Sequence, residues 1–282
     1  MNRTEQNRKA AAEKIKEEKQ KDVFLDMLPF VLGASPAVAA LCLRQKAQRG
    51  HQSRRDTAVE QSCDRGVKAI SCLDALRSKR VCLASKSPRR LEIVQQMGLD
   101  VVVVPSGFKE DLDKNSMGAQ EYCQATARGK ASAAWDKLIA GRDPMPDLLI
   151  SSDTIVVCKG KVLEKPSSRK HAFEMLQSLS GGSHEVITAV SLTVASSDKG
   201  FREVAAFASI AKVHFAALTD VDIESYIETG EPMDKAGGYG IQGIAGQFIE
   251  GIEGDFYTVM GLPLAKLSSA LAAAAHDLGW VQ

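Results

Sequence analysis

Several groups of residues in this chain have types and spacings suited to work on phosphate. Asp153 lies in Ser151-Ser152-Asp153-Thr154-Ile155-Val156-Val157, and Lys165 follows in Val162-Leu163-Glu164-Lys165-Pro166 after a Lys159-Gly160 turn. Alternating β-branched residues bounded by Gly160 and Pro166 predict a strand, a tight turn and a second short strand, with Asp153 and Lys165 on neighbouring segments. A carboxylate beside a lysine in that setting is a candidate acid/base pair or metal ligand. A surface Asp and Lys flanking an ordinary hairpin is the alternative these residues leave open. Ser85-Lys86-Ser87-Pro88-Arg89-Arg90 offers a different chemistry. Ser87 is suited to cap a helix and Pro88 to begin it, so backbone N–H groups, the positive helix end and two guanidiniums would meet there, a ready site for phosphate oxygens. A capped helix whose arginines face water fits equally well.

Glu110, Asp111 and Asp113 cluster in the loop 106–114. Oxygen donors beside a phosphate site would suit Mg2+ or Mn2+, although such clusters are often only solvated. Lys130 sits among Ala125, Ala127, Ala133, Ala134 and Leu138 on a helix predicted over 118–140; it either serves a ligand or snorkels to water. Lys235, Tyr239 and Gln242 fall in the glycine-dense stretch 231–255. Glycines permit close backbone approach to a ligand, and a carboxamide there could read the edge of a base.

These residues need elements to hold them. Residues 81–84 read as a short apolar strand and 101–105 as a second buried strand, separated by a helix with Leu91, Val94 and Met97 on one face and Gly98 at its end. After the central hairpin, Ser167 or Ser168 caps a helix carrying Ala172, Phe173, Met175, Leu176 and Leu179, closed by Gly181-Gly182. Residues 185–195 and 201–218 predict two long strands joined by a turn at 196–200. Thr219 caps a further helix ended by Gly230, and Gly261-Leu262-Pro263 opens a last one with Leu264, Leu267 and Leu271 inward. His184, just before a strand, is a candidate ligand or a structural hydrogen-bonding residue.

Composition narrows the function classes. The 36 basic and 35 acidic residues among 282 nearly cancel, so overall charge does not point to nucleic acid or an anionic membrane, and an anionic ligand would have to be held by local charge. Six cysteines (Cys42, Cys63, Cys72, Cys82, Cys123, Cys158) show no C-x-x-C spacing, which favours reduced thiols in a cytoplasmic compartment and argues against a zinc site. Residues 1–22 interleave Lys, Arg and Glu as a solvated helix or charged tail. Residues 23–43 form the longest apolar run, interrupted by Asp26, Pro29, Gly33 and Pro36, so a membrane is not expected as a partner although the run has the length of a span. Residues 44–78 read as a polar, basic linker. The expected organisation is therefore a weakly structured extension over 1–78 and one domain over 79–282.

Taken in order, LASKSPRR, the FKED loop, SSDTIVV, LEKP, LSGGSHEV, EPMDKAGGYGIQG and IEGDFYTVMGLP closely resemble the Maf family of nucleoside triphosphate pyrophosphatases, over roughly residues 81–272. The resemblance implies an α/β fold, a mixed twisted sheet in two lobes around a central cleft, related to inosine triphosphatases. It also implies hydrolysis of a nucleoside triphosphate to monophosphate and pyrophosphate with a divalent cation, Mg2+ or Mn2+. Asp153 falls on the family's catalytic acid, as proton acceptor for water or metal ligand, and Glu110 on the acidic loop residue, with Lys109 where an Asp usually precedes it. Lys130 and Lys165 match lysines that neutralise phosphate. Ser85, Ser87, Arg90 and Lys235 fall in substrate-binding segments, and Arg89, Thr154 and Gln242 at positions associated with nucleotide choice. Asp153-Thr154 resembles the branch acting on dTTP and UTP; alternatives are selectivity for 7-methyl-GTP or non-standard purine triphosphates, or a silent nucleotide-binding regulator of cell division. The resemblance also admits a homodimer.

Overall fold

The computed structural model describes residues 69–114, 116–196 and 200–281. These lie in the compact unit Asp56–Gln282; the charged tail and the apolar run at 23–43 lie outside the described residues. Seven strands form one mixed sheet: β1 (Val81–Leu83), β2 (Val102–Val103), β3 (Leu148–Cys158), β4 (Lys161–Leu163), β5 (Ser183–Ala195), β6 (Phe201–Phe215) and β7 (Ile249–Glu253). Their order is β2-β1-β3-β5-β6-β7, with β4 also paired to β3. β1 runs parallel to β2 and β3, and the remaining pairs are antiparallel. The helices are α1 (Leu73–Arg77), α2 (Pro88–Gln96), α3 (Ala119–Gly141), α4 (Arg169–Leu179), α5 (Asp220–Glu228), α6 (Phe256–Met260) and α7 (Leu264–Asp277).

Local chemistry accounts for many of the boundaries. Lys159 and Gly160, with φ of 49° and 74°, make the left-handed two-residue turn between β3 and β4, the geometry whose twist suits a tight hairpin. The Ser168 side chain accepts from His171 N–H to cap α4, and Thr219 with Asp222 forms a full capping box on α5, a device typically contributing about 1 kcal/mol. Pro88 begins α2, but Ser87 makes no side-chain cap bond there.

Strand alternation divides the core. Leu148, Ile150, Val156 and Cys158 of β3 share one face, where two apolar clusters form at opposite ends of the strand. One gathers α1, α2 and α7 around Leu148 and Ile150; the other gathers α4 and α5 around Val156, Val213 and Phe215. Between them the same face carries Ser152 and Thr154, polar and therefore an interruption of the core. The opposite face is covered by α3, whose Tyr122, Cys123 and Ala127 meet Ile155 and Ile187, and whose Ala131, Ala134 and Trp135 meet Cys82 and Leu149. Small side chains along α3 let that helix approach the sheet closely.

Two expectations are corrected. Residues 101–105 do not form a buried strand: β2 is two residues long, at the sheet's edge, with Val102 and Val103 42% and 40% exposed. An apolar run records β-propensity, not whether anything covers it. Nor is all of 44–78 linker. A short 3-10 turn at Ala69–Cys72 and α1 bury Ala69, Cys72 and Leu76 against the first cluster, and Ala69 N–H donates to Ser268 Oγ at 2.9 Å. The folded part thus begins at or before Ala69, ten residues ahead of the expected boundary.

Candidate active site

A gap in the sheet creates the site. β5 pairs with β3 along one edge over Leu149–Val157, whereas on the other edge β1 reaches only Ile150 and β4 begins only at Val156. Residues 151–155 therefore have no strand beside them on that edge, among the described residues. Into this notch come the β1–α2 turn, the loop before α3, the segment after β4 and the glycine-dense stretch before β7. Together they line a cavity of about 640 Å³.

Ser85, Ser87, Arg89, Arg90, Glu110, Lys130, Asp153, Thr154, Lys165 and Lys235 all line this cavity. Asp153 points to the α3 face, 4% exposed, and its Oδ1 accepts from Lys130 Nζ at 2.6 Å. The same ammonium lies 2.8 Å from Glu110 Oε1. Two carboxylates from separate segments thus converge on one lysine. Burial alone would push the Glu110 carboxyl up, but the charge and hydrogen bond of Lys130, followed by Lys165 and Arg90, hold it below its ordinary value. Asp111 and Asp113 are not among the cavity-lining residues.

Thr154 points the other way, into the polar break between the two clusters. Arg90 Nη2 donates to Thr154 Oγ1 at 2.8 Å, Nε donates to the Gly261 carbonyl at 2.8 Å, and Nη1 donates to Ser85 Oγ at 3.3 Å. Thr188 Oγ1 donates to the Thr258 carbonyl at 2.8 Å. Having spent its one proton there, it must accept from Thr154, 2.9 Å away. The result is a directed chain from Arg90 through Thr154 and Thr188 to the backbone of α6. Desolvation pushes the Arg90 guanidinium down from its ordinary value, with Asp153 opposing.

Of the positions the resemblance associates with nucleotide choice, Arg89 and Thr154 both line the cavity, and the side chain that bonds Thr154 is that of Arg90, the second arginine of the SPRR turn. Gln242 is exposed and is not among the lining residues. Lys235 is held by the Glu231 carbonyl and Asp234, both at 2.7 Å. His184 lies within β5 and hydrogen-bonds to the Tyr239 hydroxyl at 2.7 Å; Tyr239 in turn lines the cavity.

Sequence reasoning passed over Glu164, which also lines the cavity, accepts from Tyr122 Oη at 2.7 Å and pairs with Lys114. Its position next to Lys165 on the segment leaving β4 was the available signal. Thr188 and the Gly261 carbonyl gave no such signal, because their roles come from register across β3 and β5 and from the turn after α6.

Comparison with known proteins places the chain in a family. A family model described as "Maf-like protein" matches residues 80–274. A Clostridium perfringens protein named dTTP/UTP pyrophosphatase is 43% identical over 192 residues, covering 68% of this chain and 95% of its own. A human protein named probable bifunctional dTTP/UTP pyrophosphatase/methyltransferase is 44% identical over 192 residues, covering 67% of this chain; this chain spans only 31% of the human protein's length. The Staphylococcus aureus Ham1 structure aligns over 71% of this chain and 99% of its own, with TM-score 0.35 and 13% identity, too slight a likeness to carry an argument.

Proposed function

Because the chain belongs to the Maf family, we propose that it is a nucleoside triphosphate pyrophosphatase acting on dTTP, UTP and related pyrimidine nucleotides, releasing the monophosphate and pyrophosphate. The observation that carries this reading is the convergence of Asp153 and Glu110 on Lys130 inside a cavity rimmed by Arg89, Arg90 and Lys165. Phosphoryl transfer asks the protein mainly for positioning and charge neutralisation. A triphosphate is a polyanion, and this cavity meets it with a rim of cations and with the β1–α2 turn, whose helix start suits phosphate oxygens. The relatives' printed names support the pyrimidine preference.

The residues present fit a divalent cation. Two carboxylates within reach of one ammonium are hard oxygen donors facing a common space, and no group of three or more acidic, His or Cys residues suited to a metal occurs among the described residues. That is the donor set Mg2+ or Mn2+ accepts, with one or two carboxylates completed by water and substrate phosphate. Asp153 and Glu110 would hold it; when bound, such an ion supplies charge neutralisation and a more acidic water. Asp153 accepts the proton of the attacking water. Lys130 keeps that carboxylate in place and offsets the local negative charge, Lys165 and Arg89 bind phosphate oxygens, and Arg90 with Thr154 sets the wall against which the nucleotide rests.

The location and assembly are part of the same proposal. The described cysteines Cys72, Cys82, Cys123 and Cys158 are free and buried, which supports a reducing, cytoplasmic compartment. No helix among the described residues is long and apolar enough to cross a membrane. A homodimer is testable by light scattering.

The test is a panel of dTTP, UTP, CTP, 7-methyl-GTP and ITP with Mg2+ or Mn2+ and identification of both products, run on wild type and Asp153→Asn. We expect monophosphate plus pyrophosphate, pyrimidines ranked first, and a fall of about 10²–10⁴ in kcat for the variant with nucleotide binding retained. Phosphate as the product, or a purine ranked first, would refute the assignment of reaction or base. Binding without hydrolysis by both proteins would leave a nucleotide-binding regulator.

A further inference from the structure

We infer that Gly129 is a positioning residue: its missing side chain seats the Phe108 ring and thereby holds Glu110 against Lys130. This rests on the proposed role of Glu110 in the reacting cluster. Gly129 lies inside the 23-residue helix α3, immediately before Lys130. Glycine is disfavoured at such a position, and nothing in the local backbone asks for it, since Gly129 is not among the residues with positive φ. The reason lies across the helix surface. A Cβ at Gly129 would stand 2.4 Å from Phe108 Cζ, 2.6 Å from Cε2 and 2.9 Å from Cε1. The end of the ring therefore occupies the space an alanine methyl would need.

Phe108 is two residues before Glu110 in a loop without regular secondary structure. Both line the cavity. Along this loop, Glu110 bonds Lys130 at 2.8 Å and Lys114 pairs with Glu164. Each of these ties is polar and a third or more exposed on its acidic or basic partner, hence open to competition by water and salt. Leu112 gives the far part of the loop an apolar anchor against Tyr122, Cys123 and Ala127; the ring in the glycine seat is the apolar tie on the near side of Glu110, and it acts on the same turn of α3 that presents Lys130. Helix propensity has been given up so that an irregular loop can deliver one carboxylate to a fixed place.

The test compares wild type with Gly129→Ala, Phe108→Ala, the double variant and Glu110→Gln, using the full chain. Hydrogen exchange over residues 106–114 reports the seat directly, and kcat and KM report its consequence. Gly129→Ala should speed exchange in the loop and lower kcat on the order of tenfold or more, as small misplacements do, with little change in KM and a melting temperature no lower than wild type. Phe108→Ala should likewise speed exchange in the loop and lower kcat, with some loss of melting temperature, and the double variant should be no worse than Phe108→Ala alone, because the methyl harms only by displacing the ring. Unchanged exchange in Gly129→Ala, or additive losses in the double variant, would overturn the inference. Full turnover by Glu110→Gln would instead remove Glu110 from the reaction, and the exchange results would then decide the seat on their own.

Discussion

At the scale of single residues, a buried group outside the Asp153–Glu110–Lys130 cluster, the imidazole of His184, makes stability depend on pH. It is 3% exposed, Nε2 shares a hydrogen bond with the Tyr239 hydroxyl, Nδ1 is buried with no hydrogen-bond partner, and Phe215 and Tyr239 pack edge-on to the ring. Burial, with a smaller contribution from His214, pushes it from 6.5 down to about 4. The folded protein therefore favours the neutral ring, and unfolding allows it to take up a proton. The stability this supplies is complete above about pH 6.5 and is lost as the pH falls toward 4, an effect of about 3 kcal/mol. Denaturant titrations between pH 7 and 4 should show that slope in wild type and a flatter one in His184→Gln; equal slopes would contradict the account. The cavity residues were legible by type, since lysines, arginines and carboxylates announce themselves. Which of two adjacent arginines bonds the polar break in the core was not, because that depends on Gly261 and Thr154 being there to receive it.

At the scale of elements, α6 shows how a short piece of chain can support a distant one. Asp255 caps its start, accepting from Tyr257 and Thr258 N–H, and Gly261 ends it in the left-handed region at φ 109°. The Gly261 carbonyl then accepts from both Arg90 Nε and Ser152 Oγ. A side chain at Gly261 would meet that backbone strain and would also lie 3.2 Å from Thr154 Oγ1 and 3.4 Å from Arg90 Nε. Gly261→Ala should cost about 1–3 kcal/mol, seen as a lowered denaturation midpoint, and should weaken nucleotide binding by disturbing Arg90 and Thr154. An unchanged midpoint and KM would show that α6 plays no such part. The capped helices α4 and α5 and the hairpin at Lys159-Gly160 could be read locally, because caps and tight turns are chemistry between residues a few positions apart. The exposed β2 could not, because edge and centre differ only in what lies alongside.

At the scale of the whole molecule, the segment 69–77 is part of the fold, and its apolar Ala69, Cys72, Leu73 and Leu76 set it apart from the polar, basic stretch before it. Ala69, Cys72 and Leu76 are all buried, at 3% exposure or less, in the cluster with α7 and β1. Full burial of a leucine alone is worth about 1.5–3 kcal/mol. A chain starting at Lys79 should therefore be less stable than one starting at Lys68 by roughly that amount or more. Equal stability in denaturant titrations would place 69–78 outside the cooperative unit. Turnover, if retained by the longer chain, would locate the whole catalytic apparatus within 68–282.

What the amino-acid order determined unaided was periodic and local: alternating strands, capped helices, the β3–β4 turn, and a family-like series of motifs rich in cationic and carboxylate side chains. What only the tertiary structure decided was convergence. β1 and β4 pair with opposite ends of one edge of β3, leaving residues 151–155 open, and small residues bring α3 close enough for Lys130 to reach Asp153. Pairing and close approach depend on segments far apart in the chain, so no window of sequence contains the information that fixes them.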